Sequence, residues 1–130
     1  MNIYLDIDQV LIKKDSKPAD YVSEFLKYIT DKHNVYWLTT HCRGNAQVTA
    51  QYLQDKLPDE VLPCLDKIKS TNWQTLKTEA IDFSQDFRWL DDYVMQAESN
   101  VLAENNAKEK IILINLKSEP DKLKQIMNII

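Results

Sequence analysis

The sequence is poor in glycine. Its 130 residues include only one, Gly44. A GxGxxG dinucleotide-binding fingerprint and a P-loop each need more than one glycine, so neither of these phosphate-binding motifs can be written in this chain. Any phosphorylated ligand must therefore be bound without a glycine-rich loop.

Cysteine and long apolar runs are also scarce. The two cysteines, Cys42 and Cys64, are too few for a disulfide framework or a zinc site, so both are expected to be free thiols. No apolar run reaches the roughly 18 residues that span a bilayer, and the N-terminal residues have the pattern of a strand rather than of a basic leader. We therefore expect a cytoplasmic protein that has no membrane partner.

The charge balance is slightly acidic. A net charge of −4 argues against loose, charge-driven binding to nucleic acid. A local basic patch beside a phosphate pocket stays compatible with a nucleic-acid partner, but the charge does not indicate one. The oligomeric state is left open by the sequence.

The pattern of apolar residues predicts a single α/β domain over residues 1–130. Strand-like apolar runs begin at Ile3 and recur at residues 35–38, 61–65, 87–90 and 111–116. Alternating strands and helices indicate a mostly parallel, five-stranded sheet in a Rossmann-like three-layer sandwich. Helical spacing appears between these runs, over residues 21–29, 48–53 and 73–81 and after Pro120, while residues 98–110 are expected to be a frayed helix or a loop.

Two carboxylates follow the first strand at its carboxyl end. Asp6 and Asp8 are two residues apart, so they can point to the same side if the strand geometry persists through Ile7. In open α/β sheets the chemistry lies beyond this edge, and two close like charges favour a shared divalent cation. The alternative for an isolated Asp-x-Asp pair is that both residues only cap the following loop.

Further polar residues follow other predicted strands. Thr39 and Thr40 come after the second run, and Asp91 and Asp92 come after the fourth. A hydroxyl at this edge could hold a phosphoryl oxygen or cap the next helix, and a lone lysine such as Lys77 is usually a solvated helix residue. Four carboxylates at one sheet edge would be unstable without a bound cation, so a metal site is expected there.

Taken in order, these residues resemble the four motifs of the haloacid dehalogenase superfamily of phosphohydrolases, over roughly residues 1–95. Residues 6–11, DIDQVL, look like the family's DxDG[TV]L motif, and residues 89–92, WLDD, look like its last motif. Residues 37–40, WLTT, together with Asn45-Ala46 and WLDD, also resemble a small subgroup that is linked to RNA-repair proteins.

The resemblance implies a phosphatase that needs Mg²⁺ and works through an aspartyl-phosphate intermediate. It makes Asp6 the nucleophile and Asp8 the general acid and base, with Lys77 neutralising charge on the phosphoryl group. Thr39 would bind a phosphoryl oxygen, and a shift of the strand end by one residue would exchange its role with that of Thr40. The implied metal ligands are Asp6, Asp8 through its backbone carbonyl, Asp91 and Asp92.

The spacing of the motifs leaves no room for a cap domain. Only 26 residues separate Asp8 from Val35, and 37 separate Thr39 from Lys77. By analogy, a capless site favours a large phosphorylated substrate, such as a protein or a nucleic-acid end, or a second subunit that acts as a lid. Arg43 could contact a substrate phosphate or could be an ordinary surface residue at the start of a helix.

One residue departs from the family pattern, because Gln9 stands where the family usually has glycine. If this position needs a positive φ angle, Gln9 costs on the order of 1 kcal/mol. The competing hypotheses are a catalytically silent domain of the same family that binds a partner, and a PIN-like metal-dependent nuclease. A receiver domain is disfavoured because its acidic residues, threonine and lysine occur in a different order along the chain.

Overall fold

Four of the five predicted apolar runs form the strands of one parallel sheet in the computed structural model, which describes residues 1–130. The strand order is β2-β1-β3-β4, and every neighbouring pair is parallel. The α/β class and the parallel sheet are therefore confirmed. The strands are β1 (Asn2–Leu5), β2 (Asn34–Trp37), β3 (Phe87–Asp91) and β4 (Ile111–Leu113).

Helices cover both faces of the sheet, as expected for parallel strands. They are α1 (Val22–Lys32), α2 (Ala46–Leu53), α3 (Leu62–Leu65), α4 (Gln96–Glu104) and α5 (Lys122–Met127). Ile3 and Leu5 of β1 pack in the larger core cluster with apolar residues of α1 and α5, whereas Tyr4 packs in a second cluster with Trp89 and Leu102. This alternation along β1 gives the three layers and buries the central strand on both sides.

The predicted strand at residues 61–65 is wrong. Residues Asp59–Val61 form a 3₁₀ turn and Leu62–Leu65 form α3, so the sheet has four strands and not five. Pro63 lies at the start of α3, where the missing N–H costs nothing, whereas inside a central strand it would remove a ladder hydrogen bond. The outer edge of β2 is instead paired at an isolated parallel β-bridge between Tyr36 and Lys69.

The predicted helix over residues 73–81 is also wrong, except for a 3₁₀ turn at Lys77–Ala80. The carboxylate of Glu79 accepts hydrogen bonds from the backbone N–H groups of Gln74, Thr75 and Leu76, at 3.1, 3.2 and 2.8 Å. These bonds satisfy the backbone of an irregular loop, which removes the need for a helix. The polar stretch 98–110 contains most of α4 and a 3₁₀ turn at Lys108–Lys110.

The turn after β1 has an unusual backbone. Gln9 adopts a φ of 61°, so the position where the related motif has glycine does have a left-handed conformation. The N–H of Gln9 donates to the carbonyl oxygen of Ile12 at 2.7 Å, while Val10 and Leu11 are fully buried. Burial of these two apolar neighbours holds the turn in a conformation that Gln9 alone would avoid.

The remaining expectations at this level concern thiols and membrane spans. Cys42 and Cys64 are both free. None of the helices has both the length and the apolar character that crossing a membrane requires.

Replacing Gln9 by glycine should stabilise the protein, because glycine adopts a positive φ without a Cβ clash. Relative to Gln9→Ala, which removes the side chain but keeps the Cβ, we expect Gln9→Gly to raise the free energy of unfolding by about 1 kcal/mol. Urea unfolding of both variants measures this difference. A glycine variant that is no more stable than the alanine variant would show that the turn carries no backbone strain.

Candidate functional site

The carboxyl ends of three neighbouring strands open into one cleft. Asp6 follows β1, Thr40 follows β2 by three residues, and Asp91 is the last residue of β3. The cleft has a volume of about 440 Å³. Acidic residues outnumber basic ones in its lining, which has one lysine, Lys77, and five acidic residues, Asp6, Asp8, Asp91, Asp92 and Glu98.

Lys77 joins the two buried carboxylates of the cleft. Its Nζ lies 2.7 Å from Oδ2 of Asp91 and 3.5 Å from Oδ2 of Asp6. The three side chains are 13%, 2% and 10% exposed, so the ion pairs are largely removed from water. The backbone N–H of Lys77 donates to Oε2 of Glu98 at 2.8 Å, which ties the 3₁₀ turn to α4 and aims the lysine at the sheet edge.

Asp91 is held by further donors on both of its oxygens. Nε1 of Trp89 donates to Oδ2 at 3.1 Å, and the backbone N–H groups of Asp92 and Tyr93 donate to Oδ1 at 2.8 and 3.3 Å. A buried carboxylate with this many donors is fixed in one orientation. Asp91 therefore forms the rigid floor of the cleft.

The buried charges change the protonation of their neighbours. Burial raises the pKa of the Asp6 carboxyl to about 7, with the nearby charge of Asp91 adding to the rise and Lys77 opposing it. Loss of solvent around the Asp92 carboxyl, together with Asp91, raises the pKa of Asp92 to about 6. For Lys77, burial alone would lower the pKa, but the charges of Asp6 and Asp91 outweigh it and raise the pKa. One lysine therefore does not fully compensate the acidic groups.

Three of the four predicted metal ligands come together. One carboxylate oxygen from each of Asp6, Asp91 and Asp92 lies within 4.8 Å of the others. Hard carboxylate oxygens at the wall of an open cleft are donors that suit Mg²⁺, and a bound dication would offset the excess negative charge. The donor set therefore fits the expected metal.

The side chain of Asp8 is not part of this group. It lines the cleft, but its carboxylate is directed to residues of the second strand end and of α2: Nε2 of His41 lies 2.7 Å from Oδ2, and the Tyr52 hydroxyl donates to Oδ1 at 3.2 Å. The side chain is 52% exposed. Only the backbone carbonyl of Asp8 is thus left as its predicted contribution to a metal site.

The two threonines differ in accessibility. Thr39 is 1% exposed, and its Oγ1 accepts a hydrogen bond from the backbone N–H of His41 at 3.3 Å. Thr40 is exposed and lines the cleft. The apolar run was predicted to end at Leu38, but β2 ends one residue earlier, at Trp37, and Leu38 is still fully buried. Thr40 therefore takes the position at the cleft that was expected for Thr39.

Arg43 does not line the cleft. Its guanidinium donates to the carbonyl oxygens of Trp73 and Gln74, at 2.7 and 3.3 Å, and lies over the Trp73 ring at 3.8 Å from its centroid. These contacts satisfy the charged group against the irregular loop. These contacts place Arg43 against the cleft wall, and its contact with a substrate phosphate stays a prediction.

Several residues of the cleft carry no signal in the sequence. Glu98 is 2% exposed and accepts hydrogen bonds from the backbone N–H groups of Lys77 and Met95. The one sequence signal for Glu98 is its position three residues after Met95, which is typical of a helix capping box. A capping box does not indicate a functional site. Tyr93 and Met95 line the cleft while 65% and 37% exposed, and give it an apolar rim.

Comparisons with known proteins add no family to this description. No protein-family model, no curated protein and no solved structure matches the chain.

Removing the lysine should destabilise the fold, because Asp6 and Asp91 would then face each other without a cation. We expect Lys77→Met to lower the free energy of unfolding by about 3 kcal/mol when measured in EDTA by urea titration. Adding Asp6→Asn should recover part of this loss, since one of the two uncompensated charges is then gone.

A matched control is available at the opposite end of β3, where Lys110 pairs with the exposed side chain of Asp86. Lys110→Met should cost less than about 1 kcal/mol, as is usual for exposed ion pairs. Equal losses for Lys77→Met and Lys110→Met would contradict a buried, structurally required role for Lys77.

Proposed function

We propose that the protein is a Mg²⁺-dependent phosphomonoester hydrolase of the haloacid dehalogenase type, with Asp6 as the nucleophile. The observation that carries the proposal is the position of Asp6, a carboxylate at the end of the central strand with Lys77 on one side and Asp91 within reach of the same cation site. These three residues come from three separate segments, and their meeting supports three of the four motifs that the sequence resembles.

In the first step, an oxygen of Asp6 attacks the phosphorus of the substrate, the bond from phosphorus to the leaving oxygen breaks, and an aspartyl phosphate forms. Lys77 stabilises the negative charge that is shared between the Asp6 carboxylate and the phosphoryl oxygens. Its ion pair with Asp91 holds the ammonium group in place throughout.

Asp8 serves both steps from the mouth of the cleft. It gives a proton to the leaving oxygen, and it then takes a proton from the water that attacks the aspartyl phosphate, which releases inorganic phosphate and restores Asp6. The exposure of Asp8 suits this role because both the departing alcohol and the incoming water arrive from solvent.

Asp6, Asp91 and Asp92 are the side chains that would hold Mg²⁺, together with the backbone carbonyl of Asp8. The bound ion would neutralise the carboxylates and the phosphoryl group. Thr40, rather than the buried Thr39, is the hydroxyl that can reach a phosphoryl oxygen, since only Thr40 lines the cleft.

The proposal assigns the substrate to the class of phosphate monoesters. The short segments between the strands support a capless, open site, which suits a phosphate at the end of a large molecule. The PIN-like nuclease hypothesis is less well supported, since it gives no role to a lysine between two carboxylates. A silent binding domain is the second alternative, and the presence of both Asp6 and Asp8 argues against it.

Mg²⁺ should raise the thermal stability of the wild-type protein, because the ion would bind only the folded state. At a concentration of about 100 times the dissociation constant the gain corresponds to about 2.7 kcal/mol, and Asp92→Asn should abolish most of it. Differential scanning calorimetry with Mg²⁺ or EDTA measures the effect. Asp86→Asn, which removes an exposed carboxylate at the other end of β3, should keep the full response; if it loses the response as well, the stabilisation does not come from this cluster.

Hydrolysis of an aryl phosphate should require Mg²⁺ and both aspartates. We expect Asp6→Asn to remove turnover, because an amide cannot replace the proposed carboxylate nucleophile, and Asp8→Asn to reduce kcat by about 10²- to 10⁴-fold. Release of the aryl alcohol, followed in Mg²⁺ and in EDTA, measures both. Turnover that persists in Asp6→Asn would exclude the proposed nucleophile, and cleavage of phosphodiesters but not monoesters would favour the nuclease.

A further inference from the structure

The Asp8 carboxylate is held by two side chains that none of the four motifs contains. The imidazole of His41 meets Oδ2 through Nε2 at 2.7 Å, and the hydroxyl of Tyr52 donates to Oδ1 at 3.2 Å. Nε2 of His41 can donate to the ionised carboxylate or accept from the protonated carboxyl group, so this contact is available in both states that a general acid and base passes through. Both oxygens of Asp8 are therefore engaged by side chains from other segments.

The two donors are themselves fixed. The rings of His41 and Tyr52 stack with centroids 3.9 Å apart and planes 17° apart, and Nζ of Lys56 lies 4.2 Å from the centroid of the Tyr52 ring. The backbone of His41 is tied on both sides, since its N–H donates to Thr39 Oγ1 at 3.3 Å and its carbonyl accepts from Thr49 Oγ1 at 3.0 Å. A buried threonine at each end thus anchors the histidine.

This arrangement is more than an exposed aspartate needs for solvation. A carboxylate that is half open to water is already solvated and needs no protein partner. Ordering His41, Tyr52 and Lys56 around it costs conformational entropy. A general acid, in contrast, has to lie within hydrogen-bond reach of the leaving oxygen, and a free side chain would spend much of its time in other rotamers.

We infer that His41 and Tyr52 are positioning residues that hold the Asp8 carboxylate at the mouth of the cleft in the orientation in which it protonates the leaving group and then receives the proton of the attacking water. This role rests on the proposed phosphatase function. It also gives Thr39 a place in the site, because the buried hydroxyl orients His41 instead of contacting phosphate.

The role predicts a selective defect. Protonation of the leaving oxygen matters most when that oxygen is strongly basic, so the test uses phosphate monoesters whose leaving alcohols range from nitrophenol to simple alkyl alcohols. In Tyr52→Phe and His41→Ala we expect kcat/KM, which reports the steps up to release of the alcohol, to fall about tenfold for the alkyl esters and to change little for the nitrophenyl ester. His41→Gln, which can still donate to Asp8, should keep more of the alkyl activity than His41→Ala.

Two comparisons separate positioning from a general loss of structure. Tyr28→Phe removes a tyrosine hydroxyl that donates to the carbonyl of Ile130 at 2.7 Å, away from the cleft, and should show no dependence on the leaving group. In an Asp8→Asn background, Tyr52→Phe should cause no further loss, because the group that it positions is already gone. His41→Gln serves as the second test if Tyr52→Phe does not fold.

The outcomes are distinct. A loss of kcat/KM that is uniform across all leaving groups, or an unchanged or raised kcat/KM for the alkyl esters in the His41 and Tyr52 variants, would overturn the positioning role while the wild-type activity stands. If the folded wild type hydrolyses none of the monoesters in Mg²⁺, the proposed function itself is wrong, and the positioning role with it.

Discussion

The ion pairs of Lys77 with Asp91 and Asp6 are the interaction on which the rest of the cleft depends. They join three segments that are distant in the sequence: the end of the central strand, the end of β3 and the 3₁₀ turn at Lys77–Ala80. Each of the three groups is mostly buried, so removing Lys77 would leave two carboxyl groups without a compensating charge. Lys77 therefore holds the carboxyl ends of β1 and β3 and the 3₁₀ turn together.

The part of the site that could be predicted from the sequence is the part that follows from the sheet. Residues at the carboxyl ends of parallel strands meet at one edge, and this rule alone brings Asp6, Asp91 and Asp92 together. The same rule favoured Thr39, whereas Thr40 is the threonine that lines the cleft. Lys77 was found only through the resemblance of the motifs, because its own surroundings in the sequence suggested a solvated helix. The mostly parallel α/β class followed from the same apolar runs, whose periodicity does not depend on tertiary contacts.

What could not be predicted depends on particular contacts that the local spacing of apolar residues does not show. The apolar run at residues 61–65 has the composition of a strand, and the structure pairs the edge of β2 at Lys69 instead. Glu79 turns a helical pattern into a loop by accepting three backbone hydrogen bonds, and Arg43 leaves the substrate side of the site to stack on Trp73. In each case one contact, made by the backbone at Lys69 and by the side chain at Glu79 and Arg43, outweighs the local preference.

The central position of β1 also determines when during folding the cleft can exist. β1 pairs with β3 in a register that places Leu5 beside Leu90, so closing this contact means ordering most of the intervening chain. A growing chain that has left the ribosome only as far as residue 85 already contains Asp6, Asp8 and Thr40, but it has no strand to cover the second edge of β1. Until β3 pairs with β1, the open edge of β1 can pair with the wrong strand. The same pairing that protects this edge therefore also assembles the acidic site.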